Sequence, residues 1–177
     1  DNGWALTETL FAALAAEEAF YRPPAHRLRH PLIFYYGHTA CVMVNKLRVA
    51  GLLAGPVDEA LERLLETGVD EMSWDDMAKN DEPWPSVEEV LGYRRRVYAL
   101  VSALIANHPG LAPGASFADS SPLWALAMGC EHERIHIETT AVLIRELPLA
   151  LVQRPAAWPA DHPSAAAPSP ATPREGV

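Results

Sequence analysis

Apolar residues recur at helical spacing through four long stretches of the chain, and no hairpin signal separates them. In the first, residues 7–21, Leu6, Leu10, Phe11, Leu14 and Phe20 fall on one stripe. Its alanines favour helix, Thr7 or Asn2 can cap it, and Arg22-Pro23-Pro24 ends it. The second, residues 30–53, is apolar nearly all round, which predicts a central buried helix closed by Gly51 and Gly55-Pro56. A short amphipathic helix follows over residues 57–66 and stops at Gly68. Ser86 and Glu89 then form a capping box that opens a third long helix reaching about Asn107. Its predicted buried face is Val90, Tyr93, Val97, Leu100, Val101, Leu104 and Ile105, with Arg94, Arg95 and Arg96 as surface charge.

The fourth stretch, residues 121–147, is the one around which the rest is organised. Ser120 or Ser121 can cap it, Pro122 suits the first helical position, and Pro148 stops it. Leu123, Leu126, Met128, Ile135, Val142, Leu143, Ile144 and Leu147 supply its apolar positions. Four long helices with short or medium connections predict an all-α fold, an antiparallel four-helix bundle over residues 1–153. Residues 154–177 are Pro/Ala-rich and lack helical period. They read as a disordered linker or tail, because they bury too little apolar surface to offset their ordering cost.

Composition narrows the function classes. A net charge of −9 argues against phosphate-rich nucleic acid and against anionic membranes as partners. Two cysteines, Cys41 and Cys130, make no disulfide framework, so a reducing, cytoplasmic setting is the simpler expectation. No apolar run has the length of a membrane span. The acidic connector at residues 69–85 interleaves Met72, Trp74, Met77 and Trp84 with its charges, and reads equally as a solvated loop or a functional one.

The candidate chemistry lies in His132-Glu133-Arg134-Ile135-His136. Residues four apart on a helix differ by roughly 40° in azimuth, so both imidazoles leave one face about one turn apart and can hold one metal ion. His38 sits within the apolar second helix, where a buried imidazole needs a partner for each nitrogen. With a two-histidine site elsewhere, it is the candidate third ligand, whereas Cys41 one turn away reads as a small buried hydrophobe. Glu133 and Glu138 are the candidate outer partners of the ligands by helical position. The same string occurs in zinc metalloproteases, but the positions where those carry a further Gly and His hold Thr139 and Val142 here. That reading is weak.

Several separated motifs together resemble one family. They are Arg29-His30-Pro31-Leu32-Ile33-Phe34-Tyr35-Tyr36-Gly37-His38-Thr39-Ala40, Val69-Asp70-Glu71-Met72-Ser73-Trp74-Asp75-Asp76, Trp84-Pro85-Ser86-Val87-Glu88-Glu89-Val90 and Glu131-His132-Glu133-Arg134-Ile135-His136-Ile137-Glu138-Thr139. In order, they resemble the N-terminal DinB-like domain of the ovothiol-pathway 5-histidylcysteine sulfoxide synthases, relatives of the ergothioneine sulfoxide synthases. The resemblance implies a non-haem Fe(II) held by His38, His132 and His136. It also implies oxidative coupling of cysteine to histidine with O₂, in ovothiol biosynthesis. Zinc or another divalent metal can occupy such a site as purified, since three-histidine zinc sites also exist.

Members of that family continue into a second domain resembling formylglycine-generating enzyme, which completes the substrate cavity and supplies a catalytic tyrosine. The expectation is therefore an oxidoreductase portion that is incomplete without that domain. The alternative is a stand-alone DinB-like protein that binds a divalent metal and serves a thiol-transfer or binding role. The metal's open side is expected to face a shallow surface edged by Trp74 and by residues 155–158, with an exposed apolar patch where a second domain docks.

Overall fold

The computed structural model describes residues 1–26, 29–66, 83–158 and 160, and the acidic connector around Trp74 lies largely outside them. Six α-helices occur among the described residues: α1 (Asn2–Phe11), α2 (Glu18–Tyr21), α3 (Leu32–Val49), α4 (Glu59–Leu65), α5 (Val87–Asn107) and α6 (Pro122–Arg145). No strand occurs among those residues. No described helix is long and apolar enough to cross a membrane.

Local chemistry fixes most helix ends. Ser86 Oγ accepts from Glu89 N at 3.2 Å and Glu89 Oε2 accepts from Ser86 N at 2.8 Å, so the capping box starts α5. Ser121 Oγ accepts from Trp124 N at 3.2 Å to start α6, with Pro122 in its first turn. Asp58 Oδ1 does the same for α4 through Leu61 N at 3.2 Å.

The first predicted helix is interrupted. Residues 7–21 carry helical propensity throughout, yet α1 begins at Asn2 and stops at Phe11, and α2 is a separate short helix. The reason is tertiary. Ala15 N donates to Leu151 O at 2.9 Å and Gln153 N donates to Ala13 O at 2.8 Å, so the chain after α6 pairs with the segment between α1 and α2. Those backbone groups bond across the fold instead of along a helix, and propensity gives way.

As the hydropathy pattern predicts, α3 is central: every residue from Leu32 to Val44 is buried. It packs against α6 and α5, while α1 lies on α6 and α4 on α3. Leu10, Phe11, Phe20, Ile33, Tyr36, Val44, Leu65, Val90, Tyr93, Val97 and Ile144 are part of the core between them. On α6 the apolar pattern splits. Ile144 is buried, whereas Met128, Ile135 and Val142 are 43%, 58% and 55% exposed and form an outward stripe. Ile105, placed on the buried face of α5 by periodicity, is also exposed.

Arg94 departs furthest from expectation. Helical position groups it with Arg95 and Arg96, which are exposed, but its side chain is 0% exposed. Its Nε donates to Glu8 Oε1 at 2.9 Å, and Nη1 donates to Tyr36 O at 2.8 Å and Thr39 Oγ1 at 3.1 Å. Nη2 lies 2.9 Å from Glu8 Oε1, out of line for a hydrogen bond, and 3.7 Å from Glu133 Oε1. The guanidinium also covers the Trp4 ring at 4.1 Å. A cation can be fully buried only when it is paired and hydrogen-bonded in this way.

Candidate metal centre

α3 contributes His38, and α6 contributes His132 and His136 one turn apart. Two glycines let the supporting elements approach. A Cβ on Gly129, one turn before His132, would sit 2.5 Å from Met43 Sδ of α3. A Cβ on Gly37 would sit 2.6 Å from Leu65 Cδ1 of α4. The absence of side chains at these positions allows α6 to close on α3 and the end of α4 to close on His38.

One ring nitrogen of each histidine lies within 4.8 Å of the other two, making this a three-histidine cluster that could hold a metal ion. His132 Nε2 and His136 Nε2 are 3.1 Å apart. Two neighbouring nitrogens on one ion at about 2.0–2.1 Å stand roughly 3.0–3.4 Å from each other, so this pair has the separation of adjacent ligands. His38 Nδ1 lies 2.7 Å from Leu65 O. A carbonyl only accepts, so Nδ1 carries the proton and Nε2 keeps its lone pair. The Phe34 ring stacks on His38 at 4.8 Å, and Tyr35 lies 5.8 Å from His136.

Burial sets the charge of the cluster. Desolvation lowers the His38 pKa to about 4, helped by His132 and His30, while the Leu65 hydrogen bond works in the opposite direction. His132 falls to about 4 through burial and then Lys46. His136 falls to about 3 through burial, the other two histidines and Arg29. All three rings are therefore neutral near pH 7, the form in which imidazole ligates a metal. The Nδ1 atoms of His132 and His136 are buried without a hydrogen-bond partner. Neutral and closely grouped, the three imidazoles fit a divalent cation.

The acids proposed from helical position stand elsewhere. Glu133 is buried, accepts from Thr7 Oγ1 at 3.0 Å and lies beside Arg94. Consecutive helical side chains diverge by about 100°, which turns Glu133 away from the face of His132. Glu138 is exposed. With the Nδ1 atoms of His132 and His136 unpartnered, neither acid serves as their outer partner, and His38 uses the Leu65 carbonyl instead. No side-chain pattern could announce a backbone carbonyl, although a glycine inside a bulky helix at Gly37 marks a close approach. Asp70, Glu71, Trp74, Asp75 and Asp76 lie outside the described residues. Pro155 and Trp158 line a groove of about 490 Å³ with Leu10, Ala141, Ile144 and Val152, and none of the three histidines lines it. Pro155 and Trp158 thus border a groove that the three histidines do not line.

An all-helical domain with a partly buried three-histidine cluster between its central helix and a helix carrying two of the candidate ligands is the class that fold and site define. The profile of the DinB superfamily matches residues 1–140, and the chain belongs to that superfamily. A search of curated proteins finds no match.

Proposed function

We propose that His38, His132 and His136 hold one divalent metal ion and that residues 1–153, a four-helix bundle, are the metal-binding domain of an Fe(II)- and O₂-dependent sulfoxide synthase. The observation that carries the metal reading is the convergence of three neutral ring nitrogens from two helices, His38 buried and His132 and His136 half-buried. DinB-like domains often bind divalent metals, and the match over residues 1–140 supports the same reading.

The finer assignment rests on the motif resemblance around Gly37-His38-Thr39, the acidic Asp70–Asp76 stretch and the His132–His136 string. Iron(II) in this site would supply the redox chemistry that couples cysteine sulfur to a histidine ring carbon as a sulfoxide. The overall balance consumes one O₂, places one oxygen atom on sulfur and releases the other as water. The chain's own residues would bind the metal through three nitrogens, fix the His38 tautomer through Leu65 O and exclude water with Phe34 and Tyr35. Substrate contacts would come largely from a further domain, with residues 154–177 as linker or tail. Cys41 and Cys130 form no disulfide, in keeping with a reducing, cytoplasmic setting.

The second reading is a stand-alone divalent-metal-binding protein with a thiol-transfer or binding role. It is favoured by the donor set itself, since three neutral imidazoles suit zinc as well as iron. Metal analysis of anaerobically purified protein, followed by O₂ consumption with histidine and cysteine in the presence of the further domain, separates the two. One Fe(II) per chain and binding lost in His132→Ala supports the first; activity is expected only with the further domain present. Robust zinc retention with no response to Fe(II) would overturn it, and absence of any metal binding would overturn both.

A further inference from the structure

We infer that Arg94 is a positioning residue for the histidine cluster: its guanidinium fixes α3 against α6 and so sets the separation of His38 from His132 and His136. The inference rests on the reading that this cluster holds a metal. Arg94 projects from α5 and bonds the residue that follows a proposed ligand on α3, Thr39, through Nη1 at 3.1 Å. It also lies 3.7 Å from the residue that follows a proposed ligand on α6, Glu133. Successive helical side chains diverge by about 100°. On each helix, therefore, one residue turns to the cluster and the next turns to the same guanidinium, at nearly the same height.

The hydrophobic driving force between α3 and α6 is itself non-directional. The planar guanidinium fork is directional: its hydrogen bonds to Tyr36 O and Thr39 Oγ1 hold α3 and that to Glu8 holds α1, while it meets α6 through the 3.7 Å ion pair with Glu133. Thr7 Oγ1 donates to Glu133 Oε1 at 3.0 Å, so α1 holds the same carboxylate from the other side. A slip of one residue along a helix is about 1.5 Å. Metal–ligand distances tolerate about 0.2 Å. A displacement far smaller than one residue is thus enough to spoil the site while leaving every helix formed. Without Arg94, moreover, the Glu133 carboxylate is a buried charge lacking its cation, and it relaxes toward water, carrying α6 with it.

The test uses Co(II) as the probe, with the full chain. Wild type is expected to bind one Co(II) with a visible d–d spectrum, and His132→Ala is expected to lose it. Arg94→Met should remain helical by circular dichroism well below its melting temperature, yet bind Co(II) about tenfold or more weakly with a shifted d–d band. Thr39→Val, which keeps shape and removes one acceptor, should move affinity in the same direction by less, and serves if Arg94→Met does not fold. Val97→Ala, a core truncation on α5, is the stability control and should melt lower with affinity and spectrum unchanged. Wild-type affinity and spectrum in folded Arg94→Met or Thr39→Val would overturn this inference alone. Failure of wild type to bind Co(II) would overturn the metal reading and this inference with it.

Discussion

Adding one methyl group at Gly37 probes how the end of α4 supports His38. The new Cβ would lie 2.6 Å from Leu65 Cδ1 and 3.2 Å from both Leu65 Cδ2 and Val90 Cγ1. Leu65 and Val90 are both 0% exposed, so neither can swing into solvent to make room. In an open helix interior, Gly→Ala stabilises by about 1 kcal/mol. Overpacking a filled core costs about 1–3 kcal/mol. The steric term should win, leaving Gly37→Ala about 1 kcal/mol less stable and its melting temperature about 2–4 °C lower.

The larger consequence is chemical. Leu65 must retreat, and its carbonyl is the acceptor 2.7 Å from His38 Nδ1. Loss of an outer hydrogen bond to a metal-binding histidine weakens metal binding about 10–100-fold. Leu65→Ala alone should cost about 2–5 kcal/mol through the cavity it leaves. The double variant should cost less than the sum, by about 0.5–3 kcal/mol, because the added methyl enters the vacated space. Chelator-competition titrations and denaturant melts of the four proteins read both quantities. Gly37→Ala that melts above wild type and binds metal equally well would refute the reasoning.

Metal-free protein should lose stability as pH falls from about 6.5 toward about 4. In that window an unfolded imidazole takes up a proton, whereas burial keeps His38, His132 and His136 neutral down to about 4, 4 and 3. The unfolded state then binds more protons, so the contribution is fully present above about 6.5 and lost progressively below it. Thermal melts in chelator across pH 3–8 check this, and replacing all three histidines by asparagine should flatten that part of the profile. Ser86→Ala removes the exposed cap of α5 and should cost about 1 kcal/mol in denaturant melts with metal affinity unchanged. A change in metal affinity there would mean that the start of α5 is coupled to the site.

What the sequence determined by itself is whatever one short segment can decide. Ser86 and Glu89 are three residues apart and satisfy each other's backbone groups, so the start of α5 is legible without its surroundings. Ser121 and Pro122 mark the start of α6 equally well, and helical period places His132 and His136 on one face. The all-round apolar run of α3 announces its own burial. Tertiary structure decided the rest, where residues far apart in the chain compete for one another's groups. The Ala-rich first segment breaks because the backbone at Ala13 and Ala15 bonds to Gln153 and Leu151. Arg94 leaves the surface because Glu8, Tyr36, Thr39 and Glu133 converge on it from three other helices. Glu133 faces that cation, and His38 takes a backbone carbonyl from α4. Periodicity states which face of a helix is apolar, but not which neighbour meets it or at what height. A buried charge or a third ligand is settled by that height, and it exists only once the helices have packed.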